Sequence, residues 1–170
     1  MDKSGLPLIL DKIEISPEAD KPELSLVLPA YNEGDKIQRV IEKVSQIARK
    51  TGLKYELIVV DDGSVDDTRR NLVDYMLCNT QHVTIRIIGY NKNMGKGYAV
   101  KTGFTHAKGN LVIFIDSDLD IDPTQITYYA EALKFGDIVI ASKRHPQSRV
   151  EATVIRKILS YGFNILVKFL

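Results

Sequence analysis

The chain alternates between short apolar runs and longer stretches with a helical period. The apolar runs predict five strands, at residues 24–28, 57–60, 83–88, 111–115 and 138–141. Four of these runs are nearly continuous in Val, Ile and Leu, which is typical of strands that are covered on both faces. The run at 83–88 alternates apolar and polar residues instead, so we expect it to lie nearer an edge of the sheet.

The segments between these runs carry apolar residues three and four positions apart, which predicts helices with one apolar stripe each. The stripes lie at 37–48, 100–107 and 126–133, and the middle one consists of Val100, Gly103, Phe104 and Ala107. Asp122-Pro123 is a favourable start for the last helix, because aspartate caps well and proline fits the first turn. Strands that alternate with helices predict a doubly wound, Rossmann-like α/β fold, with a mainly parallel sheet flanked by helices.

The pattern divides the chain into three parts. Residues 1–22 contain three prolines and mixed charge, and predict an extended N-terminal leader. Residues 23–151 contain the strand–helix alternation and form the predicted core. Residues 152–170 predict an apolar helix, which fits either a membrane interface or a core helix that packs on further chain. Because the sequence stops within this apolar face, we expect the C-terminal part to be truncated.

Composition narrows the class of protein. The chain of 170 residues is 44% hydrophobic and 26% charged, as in an ordinary globular domain. Its 23 Lys and Arg nearly balance its 22 Asp and Glu, and no basic block is present, so we expect no nucleic-acid partner. Cys78 is the only cysteine, which rules out a disulfide within this chain. No apolar stretch reaches the roughly 20 residues needed to span a bilayer.

Clusters of turn-forming and charged residues follow four of the predicted strands. Their sequences are PAYNEG (29–34), DDGSVDD (61–67), DSDLDID (116–122) and SKRH (142–145). One cluster alone is explained by the need for turns, since Asp, Asn and Gly all form them. The carboxyl ends of parallel strands, however, share one edge of the sheet, where ligands bind. We therefore predict that the four clusters form a single site.

The site is rich in carboxylates, which repel one another unless a cation offsets their charge. Asp116 and Asp118 stand two apart at a strand end, so both side chains point to the same side. Oxygen ligands of this kind suit Mg²⁺ or Mn²⁺ together with substrate phosphates. Such an ion neutralises the charge of a departing diphosphate. The sequence thus predicts a divalent metal site beside a phosphate group.

A glycine-rich segment, NKNMGKGYA (91–99), opens the helix that follows the third strand-like run. Backbone amides at a helix N-terminus, together with Lys96, can hold a phosphate, although a simple glycine turn has the same composition. The spacing is not that of a P-loop. No G-x-G-x-x-G follows the first strand, which argues against nicotinamide chemistry.

Taken in order, these motifs resemble the family-2 glycosyltransferases with the GT-A fold, and within them the dolichyl-phosphate mannose and glucose synthases. The match runs from about Leu24 to the end of the chain and is carried by six pieces. They are SLVLPAYNEGDKI, YELIVVDDGSVDDT, NKNMGKGYAVKTGF, AKGNLVIFIDSDLDIDP, IVIASKRHPQSRV and VIRKILSYGF. No single piece is specific to the family, but the set is.

The resemblance implies roles for particular residues. The base and ribose of a nucleotide-sugar donor would be held by Pro29, Tyr31 and Glu33, and the base edge would be read by Asp62, with Asp61 beside it. The metal would be held by Asp116, Asp118 and Asp120, of which Asp120 stands where the mannose synthases commonly have Gln. The phosphate of the acceptor would be bound by Lys143 and Arg156. A solvated helix face is the alternative for Arg156.

The implied activity is the metal-dependent, inverting transfer of a hexose from UDP-glucose or GDP-mannose to a polyprenyl (dolichyl) phosphate. The resemblance places it at the cytoplasmic face of a membrane. A phosphate monoester is largely ionised near neutral pH, so it needs no general base. A sugar hydroxyl is the alternative acceptor and would need a carboxylate base. Neither the donor base nor the hexose is decided by the sequence.

Other classes of protein share parts of this pattern. A receiver-like signalling module also has an acidic pair, an acceptor aspartate and a lysine, which Asp61, Asp62, Asp116 and Lys143 loosely match. A nucleotidyltransferase would carry a basic glycine-rich loop directly after the first strand, and PAYNEG is not one. A nucleotide-binding regulatory module without catalysis is the remaining alternative.

Overall fold

A computed structural model describes residues 9–15, 21–78, 84–117 and 125–140. Five strands form one sheet: β1 (Ile9–Ile15), β2 (Leu24–Ala30), β3 (Tyr55–Asp61), β4 (Thr84–Tyr90) and β5 (Leu111–Phe114). The helices are α1 (Lys36–Lys50), α2 (Thr68–Cys78), α3 (Lys96–His106) and α4 (Ile126–Ala132), and a 3-10 turn follows at Leu133–Phe135. Strands and helices therefore alternate from β2 to α4, as the sequence predicts.

The sheet has the order β1-β4-β3-β2-β5. Strands β2, β3, β4 and β5 are parallel, and β1 pairs with β4 in the antiparallel direction. The described domain is thus an α/β fold with a parallel four-stranded sheet flanked by helices. Strand β4, which carries the alternating sequence, lies next to the outer strand β1, so the expectation that it lies near an edge is confirmed.

The observed strands differ from the predicted ones at two places. Residues 9–15 belong to the predicted leader, yet they form β1, because the segment ILDKIEI can pair along the free edge of β4. Residues 138–140 belong to the fifth predicted strand, and they form no strand. An apolar run predicts burial, but a strand also needs a partner strand. Within the described ranges, no strand pairs with residues 138–140. Residue 141 lies outside those ranges.

Helices cover both faces of the sheet. On one face, apolar residues of β2, β3 and β4 pack with α1, α2 and α4. The predicted stripe of α1 is buried throughout, from Ile37 to Ala48. On the other face, Val27, Ile58, Val60 and Ile88 pack against α3. This two-sided cover explains the continuous apolar sequence of β2 and β3.

The buried face of α3 differs from the prediction by one position. It consists of Ala99, Thr102 and Gly103, whereas Phe104 is 44% exposed. The physical reason is close packing on β2: a Cβ added at Gly103 would lie 2.2 Å from Cγ1 of Val27. Small side chains therefore face β2 at this point of α3, and the ring of Phe104 is left partly exposed.

A buried polar network ties the amino ends of three strands together. Arg86 donates to Glu56 at 2.8 Å, and both side chains are at most 2% exposed. The same carboxylate accepts from the Ser25 hydroxyl at 2.6 Å and from the Lys108 amide at 2.7 Å. Charged groups are buried at this depth when they are paired and hydrogen-bonded. The network anchors the segment between α3 and β5 at the edge of the sheet opposite to the strand carboxyl ends.

The chain divides into two compact units, residues 1–137 and 138–170, and the structure describes only residues 138–140 of the second. The predicted boundaries at residues 22 and 151 stay predictions. Among the described helices, none combines the length and apolarity that crossing a membrane requires.

Candidate functional site

A cavity of about 300 Å³ lies at the carboxyl edge of the parallel strands. Its walls come from the turns after β2, β3 and β5 and from the glycine-rich segment before α3. The lining residues are Pro29, Ala30, Tyr31, Glu33, Asp62, Asn93, Gly95, Lys96, Ala99, Asp116 and Ser117. Three of the four predicted clusters and the glycine-rich segment thus meet at one place. The fourth cluster, at 142–145, lies outside the described residues.

Six of the predicted site residues line this cavity, namely Pro29, Tyr31, Glu33, Asp62, Lys96 and Asp116. Asp61 does not, and its carboxylate is fully buried. One carboxylate oxygen of Asp61 accepts from Nε of Arg69 at 2.7 Å, and the other accepts from the Ser64 amide at 2.9 Å. Asp61 therefore fixes the turn after β3, and Asp62 is the member of the pair that faces the cavity.

Asp62 organises the glycine-rich segment on the opposite wall. Its two carboxylate oxygens accept from the amides of Met94 at 2.8 Å and Gly95 at 2.9 Å. Although Asp62 lines the cavity, the residue is only 4% exposed. Each carboxylate oxygen has more than one acceptor site, so Asp62 can still accept a bond from a ligand. The sequence marked Asp62 as a site residue but gave no sign of these amide partners.

Gly63 allows the turn after β3 to lie directly against the glycine-rich segment before α3. It has φ +71°, and a Cβ there would lie 2.5 Å from the backbone of Lys92 and Asn93. Behind these turns, the hydroxyl of Tyr90 is buried beside the carboxylate of Asp62. Burial, followed by the neighbouring Asp62 carboxylate, raises the pKa of Tyr90 well above its ordinary value of 10.0. Tyr90 is therefore neutral over the physiological pH range.

The turn after β2 is held by the turn after β3. Thr68 is fully buried, and its hydroxyl oxygen accepts from the amides of Glu33 and Gly34, both at 2.8 Å. The Asn32 amide donates to the Ser64 hydroxyl at 3.0 Å, and Asn32 has the unusual φ of +52°. Sequence reasoning missed these two hydroxyl residues. These bonds join residues 32 to 35 positions apart, so the local pattern DDGSVDDT gave no signal for them.

The turn after β5, at Asp116 and Ser117, makes one ion pair and one short hydrogen bond at the cavity. The ammonium of Lys96 pairs with the carboxylate of Asp116, whose side chain is 23% exposed. The Ser117 hydroxyl donates to Glu33 at 2.5 Å. Lys96 therefore offsets the charge of Asp116, and the turn after β2 is tied to the turn after β5.

Asp116 supplies the kind of oxygen ligand that Mg²⁺ or Mn²⁺ requires, at the wall of the cavity. Within the described ranges, no group of three His, Cys, Asp or Glu side chains could hold a metal ion. The other predicted ligands, Asp118 and Asp120, lie outside those ranges. So do Lys143 and Arg156, the predicted contacts to the acceptor. Their roles stay predictions.

A polar cavity at the carboxyl edge of a parallel sheet is where open α/β domains bind their ligands. The sequence matches the family model for glycosyl transferase family 2 over residues 25–167. This match covers most of the chain, and the chain belongs to that family of enzymes. The receiver-like and nucleotidyltransferase alternatives are therefore wrong.

Two curated relatives and one solved structure support this assignment. An undecaprenyl-phosphate 4-deoxy-4-formamido-L-arabinose transferase of Klebsiella pneumoniae is 32% identical over 86% of this chain and 43% of its own length. A dolichyl-phosphate beta-glucosyltransferase of Trichomonas vaginalis is 33% identical over 84% of this chain and 45% of its own length. The chain thus spans less than half the length of these relatives.

The solved structure is glucosyl-3-phosphoglycerate synthase from Mycobacterium tuberculosis, in complex with Mn²⁺, UDP and glucosyl-3-phosphoglycerate. It is 29% identical with a TM-score of 0.51, covering 68% of this chain and 41% of that chain. The fold is thus that of the GT-A glycosyltransferases, as the sequence implies.

Proposed function

We propose that this chain forms the donor-binding part of an enzyme that transfers a hexose from a nucleotide sugar to a polyprenyl phosphate. The observation that carries the proposal is the cavity, in which Asp62, Lys96 and Asp116 meet although they are far apart in sequence. Two relatives named for transfer to undecaprenyl and dolichyl phosphate support the acceptor class. The donor is UDP-glucose or GDP-mannose.

The donor fits the cavity in a particular direction. Pro29, Tyr31 and Asp62 offer an apolar surface, an aromatic ring and a carboxylate, which together suit a base and ribose. Tyr31 is 43% exposed, so its ring is accessible to a ligand. The diphosphate lies towards Lys96, whose ammonium and helix N-terminus favour negative charge. Lys96 then exchanges its ion pair with Asp116 for one with the donor.

Asp116, Asp118 and Asp120 would hold a divalent ion, Mg²⁺ or Mn²⁺, through their carboxylate oxygens. When bound, such an ion offsets the charge that develops on the departing diphosphate. The Mn²⁺ and UDP in the solved mycobacterial relative support this part of the proposal. If the ammonium of Lys96 pairs with the donor, the negative charge of Asp116 would be offset by the bound cation instead.

The acceptor phosphate attacks the anomeric carbon directly, because it is already an anion near neutral pH. What the protein supplies is positioning and relief of the repulsion between two anions. Lys143 and Arg156 carry the positive charge for this task. In-line attack inverts the configuration at the anomeric carbon. A lipid-linked acceptor places the enzyme at the cytoplasmic face of a membrane, and the apolar segment 152–170 suits contact with it.

Thermal-shift titration tests the donor and the metal together. The ligands are UDP-glucose, GDP-mannose, UDP and GDP, each with and without Mn²⁺. One donor is expected to raise the melting temperature more with Mn²⁺ than without it. In Asp118→Ala, the Mn²⁺-dependent part of the rise in melting temperature is expected to be lost. The matched control is Asp74→Ala, because Asp74 is 56% exposed on α2 and lies outside the cavity lining.

An Asp118→Ala variant with an unchanged Mn²⁺ response would remove Asp118 from the metal site. In an intact enzyme, the same substitution is expected to abolish metal-dependent transfer to a polyprenyl phosphate. Because the chain spans less than half the length of the two curated relatives, the 170 residues alone are expected to transfer sugar poorly or not at all. Full turnover by the 170 residues would contradict that expectation.

A further inference from the structure

Arg69 lies in the first turn of α2, and it is not among the described residues that line the cavity. Its guanidinium nevertheless joins the ends of two strands. Nε donates to the buried carboxylate of Asp61 at 2.7 Å, where β3 ends. Nη2 donates to the backbone carbonyl of Tyr90 at 3.0 Å, where β4 ends. One side chain thus holds together the two points from which the cavity turns depart.

These two turns are also joined on the cavity side. Asp62, which directly follows Asp61, accepts from the amides of Met94 and Gly95. The segment 91–95 directly follows Tyr90 and leads into Lys96. Arg69, Asp62 and the segment 91–95 therefore form a closed ring of contacts.

The strand beneath Arg69 leaves room for it. A Cβ added at Gly89 would lie 3.0 Å from Nη2 and 3.4 Å from Cζ of Arg69. The guanidinium consequently lies directly against the backbone of β4. The Arg69 side chain is 35% exposed, whereas that of Asp61 is fully buried. Arginine suits this position because its planar group donates to two acceptors in fixed directions.

We propose that Arg69 is a positioning residue of the donor site. It contacts no donor atom, and it holds Asp62 and the segment 91–95 at the spacing that a nucleoside diphosphate requires. This inference rests on the proposed function for the identity of the ligand. The ordering of the two turns by Arg69 is independent of that identity.

Hydrogen exchange tests the ordering of the turns in the absence of ligand. The variants are Arg69→Gln, Arg69→Lys and the matched control Arg70→Gln. Arg70 is the next residue on α2, 78% exposed, and its only described ion pair is with Asp74 at 3.8 Å. In Arg69→Gln, amides in the segments 61–66 and 91–97 are expected to exchange about tenfold faster, while those of α1 are unchanged.

The lysine variant separates positioning from folding. Arg69→Lys keeps a positive charge beside buried Asp61, so the chain is expected to fold, but one ammonium cannot reproduce both fixed directions. Its exchange rates are expected between those of wild type and Arg69→Gln. Unchanged exchange in both segments would overturn the inference. So would acceleration spread evenly over the chain, or equal acceleration in Arg70→Gln.

Calorimetric titration with UDP and GDP tests the link to the donor. The dissociation constant of the nucleotide that wild type binds is expected to rise about tenfold in Arg69→Gln, less in Arg69→Lys, and not in Arg70→Gln. Faster exchange with an unchanged dissociation constant would refute the positioning role. Failure of wild type to bind either nucleotide would refute the proposed function and, with it, the donor role of Arg69. The exchange result would still decide whether Arg69 orders the turns.

Discussion

Replacing Gly103 with alanine is the sharpest perturbation that the packing of α3 offers. The new Cβ would lie 2.2 Å from Cγ1, 3.0 Å from Cγ2 and 3.2 Å from Cβ of Val27. Carbon atoms in contact are ordinarily about 3.5–4.0 Å apart. Rotation of the valine does not relieve the overlap, because its Cβ is also too close. Helix α3 must therefore move away from β2, and Lys96 at its first turn moves with it.

The expected cost follows from the overlap. Overpacking of a well-filled core costs about 1–3 kcal/mol, and an overlap of more than an ångström belongs at or above the upper end of that range. We therefore expect the free energy of unfolding of Gly103→Ala to fall by about 3 kcal/mol in guanidinium denaturation. Gly97→Ala is the matched control in the same helix, because nothing lies within 4 Å of its added Cβ. It is expected to be neutral or stabilising by up to about 1 kcal/mol.

A double substitution tests whether Val27 is the cause. Val27→Ala removes both γ carbons, which are the two nearest contacts, and leaves the Cβ at 3.2 Å. The double variant Gly103→Ala with Val27→Ala is expected to be more stable than the sum of the single effects, by at least about 1 kcal/mol. Additive effects would show that the contact is not the source of the loss. A Gly103→Ala variant as stable as Gly97→Ala would refute the packing argument altogether.

Three further predictions concern other parts of the domain. Glu56→Gln removes the charge opposite buried Arg86, and urea denaturation is expected to show a loss of about 3 kcal/mol; a loss below about 1 kcal/mol would contradict the buried pair. Gly63→Ala forces a side chain at φ +71° onto the next loop, and calorimetry is expected to show about tenfold weaker binding of UDP or GDP; unchanged affinity would count against the joined walls. Burial raises the pKa of Asp66, but hydrogen bonds, chiefly from the side chain of Thr68, outweigh burial and hold the pKa below 3.8. The ionised carboxylate of Asp66 therefore stabilises the fold above pH 3.8, and this stabilisation is lost in more acidic solution. Asp66→Asn is expected to flatten that acid-side decline in a pH series of melting curves, and an unchanged slope would argue against the depressed pKa.

The sheet and the position of the cavity were predictable because both follow from the sequence pattern of strands and helices and do not depend on the packing of individual side chains. Continuous apolar runs indicate parallel strands, and parallel strands bring their carboxyl ends to one edge. The face of α3 was not predictable to the residue. Its register depends on the fit of Gly103 against Val27, a tertiary contact between residues 76 positions apart in the sequence.

The division of roles between Asp61 and Asp62 was also beyond the sequence. Adjacent residues at a strand end point to opposite sides, so only one of two neighbouring carboxylates can face a cavity. Nothing in the pattern DDGS says which one. The answer depends on Arg69, which lies eight positions after Asp61 and binds it behind the turn. Strand β1 was also missed. It forms by pairing with β4, and such pairing at the edge of a sheet does not require a continuous apolar run.

Paramagnetic broadening of backbone amide signals by Mn²⁺ tests most directly whether the acidic turns meet around a cation beside the donor. The spectra are recorded with the donor that the thermal-shift titration selects. The amides of Asp62, Gly95 and Asp118 are expected to broaden together, while those in the middle of α1 stay sharp. Broadening around Asp118 alone, with Asp62 and Gly95 unaffected, would place metal and nucleotide apart and contradict the proposed function.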